Sequence, residues 1–394
     1  MTVADRHHAD ASTARPPRVL VAPDSFKGSL TAAEVGAHVC AGLRAASARP
    51  DCEVLPVADG GEGTLDAAIG AGFEPVHVRA AGPLGEPRAT RYARRGDVAL
   101  VEMAAVSGMD LSGATPQTAL AATSRGTGEL VRHALDAGAR TIVLALGGSA
   151  STDGGAGMVR ALGGRLSGRV GSLPDGGGAL VDLVEVDLSG LDRRLQQVQV
   201  VLAGDVDNPL LGPCGAATVY GPQKGTDEAT VRTLESGLGR WVDRLHAAGA
   251  ASARSAAVLS GAGAAGGTGY AAMVLLDAEY RHGIDVVLDL VGFSRRVRGA
   301  SLVVTGEGSL DEQSLRGKAP LGVARAAAEH GVPVVVVCGR SALTEDQQRE
   351  AGFRSVYAMT TIEPDVHRCM TEPAPILRHI GTMVARDLSV PEGD

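Results

Sequence analysis

The apolar run Thr141 to Leu146 leads directly into Gly147-Gly148-Ser149-Ala150-Ser151-Thr152-Asp153-Gly154-Gly155-Ala156-Gly157, and Met158 to Leu162 follows before Gly163-Gly164. The run has the β-branched content and length of a buried strand. The segment after the turn has helix-forming composition, and the paired glycines are its stop signal. Strand, glycine- and hydroxyl-rich turn, then helix: this order gathers backbone N–H groups at a positive helix end, where they suit an anion, above all a phosphate. The bland alternative is a tight turn whose glycines only supply positive φ and close packing. The rest of the chain has to decide.

The same unit recurs at both ends of the chain. Val19-Leu20-Val21-Ala22 runs into the polar loop Pro23 to Leu30, and Thr31 with Glu34 forms a capping box for an alanine-rich helix to about Ala46. A strand from Glu53 to Val57 feeds Ala58-Asp59-Gly60-Gly61-Glu62-Gly63-Thr64 and then a helix, Leu65 to about Ile69. Residues 73–106 alternate more, which predicts antiparallel strands and a change of architecture. Beyond them the pattern predicts a helix from about Gln117 to Ala137, strands at Leu180 to Val186 and Gln199 to Ala203, and a helix capped by Thr226. Near residue 300 it is plainly βαβ again: Leu302-Val303-Val304, a helix from near Lys318, and Val332 to Val337, a run without polar alternation and therefore buried on both faces.

A chain of 394 residues usually divides into two domains. Only 3% aromatic residues and a net charge of −8 argue against a nucleic-acid surface. The five scattered cysteines form no CxxC pair, which favours a reducing compartment and gives no zinc signature. No secretory h-region and no bilayer-length apolar run is present, so a cytoplasmic enzyme with no membrane partner is the expected class. Residues 1–17, polar and ending in Pro16-Pro17, read as a disordered tail.

In open α/β sheets, ligands gather outside the carboxyl ends of the strands. There the sequence puts Asp24, Asp59 and Glu62, Asp205 and Asp207, and Glu307 and Asp311. Such carboxylates are candidates for magnesium, which prefers one or two of them with phosphate oxygens and water, or for orienting a substrate hydroxyl. The local alternative is helix capping and Asx turns. Lys27, Lys224 and Lys318 each adjoin a glycine, an arrangement that lets an ammonium reach phosphate oxygens. Together these loops fit phosphoryl transfer, where catalysis is mostly positioning and charge neutralisation. Gly261-x-Gly263-x-x-Gly266 also matches the dinucleotide fingerprint and keeps a nicotinamide-dependent dehydrogenase in view, although no convincing strand ends at Asp285, the acid at the required offset. No P-loop is present, and neither Ser149 nor Ser151 lies in a hydrolase elbow.

The chain resembles the bacterial glycerate kinases of the glycerate 2-kinase type over nearly all of residues 18–386. The resemblance rests on Ala22-Pro23-Asp24-Ser25-Phe26-Lys27-Gly28-Ser29, Ala58 to Thr64, Gly147 to Gly157, and Asp205-Val206-Asp207-Asn208-Pro209-Leu210 with Tyr220 to Gly225. Gly261 to Gly267 and Thr305-Gly306-Glu307-Gly308, with Asp311, Gln313, Gly317-Lys318 and Pro320, complete it. One departure stands out: the family's turn usually reads Gly-Gly-Ser-Ala-Thr-Asn-Asp-Gly-Gly, and Ser151-Thr152 replace its Thr-Asn.

The resemblance implies ATP- and magnesium-dependent phosphorylation of D-glycerate, with 2-phosphoglycerate favoured over 3-phosphoglycerate as product. It implies two α/β domains with the active site in the cleft. One is a Rossmann- or flavodoxin-like domain of both chain ends (18–85 plus 295–386), the other an inserted mixed-sheet α/β domain (86–294), with a tail at 387–394. Asp205 or Asp24 would be the base, with Lys27 beside them. Ser25, Asp59, Gly60, Gly61, Glu62, Gly148, Ser149, Ser151, Asp153, Asn208, Lys224 and Lys318 would hold substrate or phosphate, and Glu307 and Asp311 the metal. A non-catalytic sugar-acid binding protein is the other alternative, and a homodimer is left open.

Overall fold

A computed structural model describes residues 16–46, 49–109 and 113–388 of the chain. Most of the expected tails at 1–17 and 387–394 therefore lies outside the described residues. Five parallel strands form one sheet, in the order Phe353–Ala358, Val334–Ser341, Leu302–Leu310, Arg18–Pro23, Asp51–Val54. Counted along the chain this is the flavodoxin-like order 2-1-3-4-5, whose switch point lies between its first and third strands. At that point Val19 pairs with Leu302 and Pro23 with Gly306.

Alternation of side chains along a strand explains the unbroken apolar runs. Leu20, Val303 and Val336 enter one core with Leu55 and Val323. Val19, Val21, Val304 and Val335 enter a second core, on the opposite face, with Val35, Leu43 and Leu377. The strand expected at Val332 to Val337 is indeed buried on both faces.

The second sheet is mixed and has six strands. Glu279–His282, Gln199–Gly204, Thr141–Ala145 and Val98–Glu102 run parallel, and Pro87–Arg95 and Glu74–Ala81 continue it antiparallel. The chain is thus built of two α/β units. The strand Glu74–Ala81, expected among residues 18–85 of the first unit, pairs in the second sheet instead. The helix Gly283–Val291, expected in the insert, serves both: Ile284, Val287 and Val291 enter a core of the five-stranded sheet, while Val286 packs with Val143 and Val201.

Several local expectations change for identifiable reasons. The long helix after Gln117 is two helices, Pro116–Ala121 and Arg125–Asp136, because Thr123 and Ser124 turn aside to hold Asp153. Asp227, not Thr226, caps the helix Glu228–Ala247, its Oδ1 accepting the Thr230 N–H at 2.8 Å. A 3-10 turn, Gly177–Asp182, precedes the strand Leu183–Asp187, so that strand starts later than expected. Among the described residues, no helix is long and apolar enough to cross a membrane.

The Thr31/Glu34 capping box forms as expected, each side chain meeting the other's backbone N–H. Its helix, Ala32–Ala45, packs so closely on Pro373–Leu388 that a Cβ on Gly42 would collide with the Arg378 carbonyl. Gly239, inside Glu228–Ala247, has nothing within 4 Å of a Cβ. Gly42→Ala should therefore destabilise the protein by about 1–3 kcal/mol. Gly239→Ala should stabilise it by about 0.5–1 kcal/mol. Urea unfolding of both variants checks the pair, and equal effects would refute the packing argument.

Candidate active site

A cavity of about 470 Å³ opens beyond the carboxyl ends of the five-stranded sheet. Of the residues expected in a site, Asp24, Ser25, Lys27, Asp59, Glu62, Glu307, Asp311 and Lys318 line it. The sheet itself causes this convergence. Asp24 follows the strand Arg18–Pro23, its N–H donates to the Gly306 carbonyl at 2.8 Å, and Glu307 is the next residue along the neighbouring strand. Asp59 is held by a local turn, its Oδ1 accepting the Gly61 N–H at 3.1 Å.

The carboxylates raise one another's proton affinity. Burial, then the charges of Asp59 and Glu307, hold the Asp24 carboxyl well above the usual range, against a hydrogen bond from the Ser25 N–H. Burial pushes Glu307 up to about 7, with Asp59 and Asp311 adding and Ser314 and Lys318 opposing. Its Oε1 is buried without a hydrogen-bond partner. Asp205 stands across the cleft at the end of the strand Gln199–Gly204 and is open to solvent. The surrounding protein and the charge of Asp59 nevertheless push it up to about 6, against Lys318 and Lys27. Acids from both sheets thus share one field with two lysines.

The glycine-rich turn plays a different part from the one expected. Asp153 is fully buried, and its carboxylate accepts the N–H groups of Gly155 (3.0 Å), Gly157 (3.1 Å) and Ser124 (2.9 Å), together with the Ser124 hydroxyl. The Met158 N–H is bound to Ser124 Oγ at 3.0 Å. The group filling this nest is the chain's own carboxyl, whose pKa burial raises against these hydrogen bonds. Lys224, expected on a phosphate, is only 4% exposed and donates to the Ser151 carbonyl (2.6 Å) and Ser149 Oγ (3.3 Å). Burial lowers its pKa to about 8, with Asp153 opposing. Ser151 is fully buried, and its Oγ has no hydrogen-bond partner. Thr152, the departure from the family pattern, is buried beside it, 3.5 Å from Lys224 Nζ through its own hydroxyl. The Asn208 amide is engaged within its own loop by Tyr220 Oη and the Cys214 carbonyl.

Gly60 and Gly61 act through their backbone. The Gly147 N–H donates to the Gly60 carbonyl, and a Cβ on Gly147 would collide with Gly61. A Cβ on Gly283 would likewise collide with the Asp59 carbonyl. This seam brings the acidic loop against the second sheet and leaves Gly148 exposed beside it. The Gly261–Gly267 loop is packed on every side: Cβ atoms at Gly261 and Gly266 would strike the Tyr280 ring and the Ser151 carbonyl. The short helix Ala253–Ala256 leads into this loop, where a dinucleotide fold needs its first strand.

Glu102 belongs to the site although no motif marks it. It ends the strand Val98–Glu102, is buried, and accepts the Leu65 N–H at 2.7 Å at the start of the helix Thr64–Gly70. It therefore supports the Asp59–Glu62 loop from below. Burial, reinforced by Asp66 and Glu62, raises its pKa to about 7. An acid closing an otherwise apolar strand is the signal that could have found it.

These raised values set the direction of a pH effect. Between the ordinary carboxylate range and about pH 7, the native state keeps protons that the unfolded chain has already released. Stability from these groups is full at low pH and is lost as pH rises through 6–7. At about 1.4 kcal/mol per pKa unit, Glu307 accounts for a loss on the order of 1–3 kcal/mol. Denaturant unfolding at pH 5.5 and 8 without divalent cations should show this loss in the wild type and a flatter dependence in Glu307→Gln. Identical slopes would refute the assignment.

The glycerate kinase family model matches residues 19–389. A glycerate kinase of Bacillus subtilis strain 168 is 43% identical over 87% of this chain and 90% of its own length. A glycerate 2-kinase of Escherichia coli K12 is 42% identical, over 87% and 91%. A Salmonella typhimurium LT2 crystal structure, provisionally named glycerate kinase 2, superposes with a TM-score of 0.77 at 38% identity, covering 94% of this chain and 98% of that one. With its acidic cleft, its sheet order and these likenesses, the chain belongs to the glycerate kinase family, a family of phosphotransferases.

Proposed function

We propose that the chain transfers the γ-phosphoryl group of ATP to D-glycerate, giving 2-phosphoglycerate and ADP with Mg2+ as the metal. The observation that carries this reading is the shared field of Asp24, Asp59, Glu307 and Asp205 with Lys27 and Lys318 at the carboxyl ends of two sheets. Mutually repelling carboxylates are relieved by a cation, and the donors are all oxygen. The unpartnered Glu307 Oε1 suits it, with Asp24 or Asp311 as a second ligand. Among the described residues no three His, Cys, Asp or Glu side chains form a metal cage. That agrees with magnesium's use of few carboxylates beside phosphate oxygens and water. When bound, magnesium neutralises phosphate charge.

The protein's own groups supply the remainder. Asp205, with a pKa near 6, is ionised at neutral pH and can accept the proton of the glycerate 2-hydroxyl as its oxygen bonds to the γ-phosphorus and the bond to ADP breaks. Lys27 and Lys318 offset the charge on the transferring group. Asp24, whose proton affinity is raised by burial and by the neighbouring Asp59 and Glu307, fits the metal better than the base.

ADP release with D-glycerate, followed by NMR of the product, tests the activity and the position phosphorylated. A non-catalytic sugar-acid binder would release no ADP. Asp205→Asn should lower kcat by about 10²–10⁴. Asp24→Asn should chiefly raise the Mg2+ requirement. If both kept wild-type kcat, neither would be the base.

A further inference from the structure

One end of the cavity is apolar and has no part in the chemistry described above. Val366 and Met370 lie four residues apart on the helix Val366–Thr371, so they share a face, and they remain 55% and 48% exposed. Both line the cavity, so this exposed apolar surface faces a concave space. Phe26 and Met359 back the same space.

The wall is built rather than loose. Ser29 Oγ donates to the Met370 carbonyl at 2.6 Å, tying the helix to the loop after the first strand. Part of the floor is bare backbone, beside the Arg340 and Ser309 side chains, which are joined at 3.0 Å. Gly308 and Gly339 lie on neighbouring strands, so close that a Cβ on Gly339 would collide with the Gly308 carbonyl. A three-carbon acid fills a small part of 470 Å³ and has no apolar face to cover such a wall. A flat, weakly polar ring attached to an anionic chain matches both ends: the ring on the methionines, the anion toward Lys27 and Lys318.

We propose that Phe26, Met359, Val366 and Met370 form the seat of the purine base, so that ATP lies across the carboxyl ends of the five-stranded sheet. Its triphosphate then points to the acid–lysine cluster, and glycerate binds on the Asp205 side. This assignment rests on the kinase reading for its ligand, but its test does not depend on turnover.

Titration of the full-length protein with the fluorescent nucleotide mant-ADP reads the seat directly. Val366→Glu and Met370→Glu, both at exposed positions, should weaken binding by about tenfold or more, ~1.4 kcal/mol, by setting a carboxylate against the base. Met370→Leu should bind as the wild type does. In turnover assays the KM for ATP should rise in the two glutamate variants while that for D-glycerate stays put. The assignment is overturned if the wild type fails to bind mant-ADP, if both glutamate variants bind it normally, or if the glycerate KM rises instead. Should the wild type bind mant-ADP, with both variants weakened, yet release no ADP with D-glycerate, the base seat stands and the glycerate reading falls.

Discussion

Parallel pairing of Arg18–Pro23 with Leu302–Leu310 is the constraint on which the molecule turns. Thr305 Oγ1 donates to the Ala22 carbonyl across 283 positions of sequence. Closing so long a loop is tolerable because the entropic cost grows only with the logarithm of its length. Its consequence is chemical. Two parallel neighbours end at the same edge, so Asp24 and Glu307 meet there whatever lies between them in the chain. The mixed sheet occupies the interval, and the glycine seam at Gly60, Gly61, Gly147 and Gly283 brings its own strand ends, with Asp205, to the same cleft.

The electrostatics follow from that geometry. Each acid is raised by burial and by its neighbours, and the lysines only partly compensate. An unliganded protein therefore holds its site at some expense in stability, while a ligand complex supplying a cation and phosphates relieves it. Glu102 extends the arrangement inward, where a helix start and a buried carboxyl set the height of the Asp59–Glu62 loop.

The glycine-rich turn separates what is local from what is not. A strand entering it, a helix leaving it and glycines at positive φ were legible, because each depends on residues a few positions apart. That its amides close on Asp153 was not, since Ser124, Lys224 and Gly266, which complete the surroundings, come from other parts of the chain. Once those partners are in place, Asp153 and Lys224 brace the turn from behind. The loops after Val21, Val57 and Val304 meet in one cavity, since a strand-end acid in a parallel sheet has few other places to go.

By itself, then, the sequence determined the alternation of short buried strands with glycine-bearing acidic loops, the capping box at Thr31, and a family likeness carried by ordered blocks. These rest on hydrogen bonding and periodicity within a few residues. Only the tertiary structure decided which sheet takes the strand Glu74–Ala81, which charges lie in one field, and which methionines stay open in the cavity. Strand partners, burial and mutual electrostatic influence are properties of surfaces brought together from distant segments, and no window of the chain contains them.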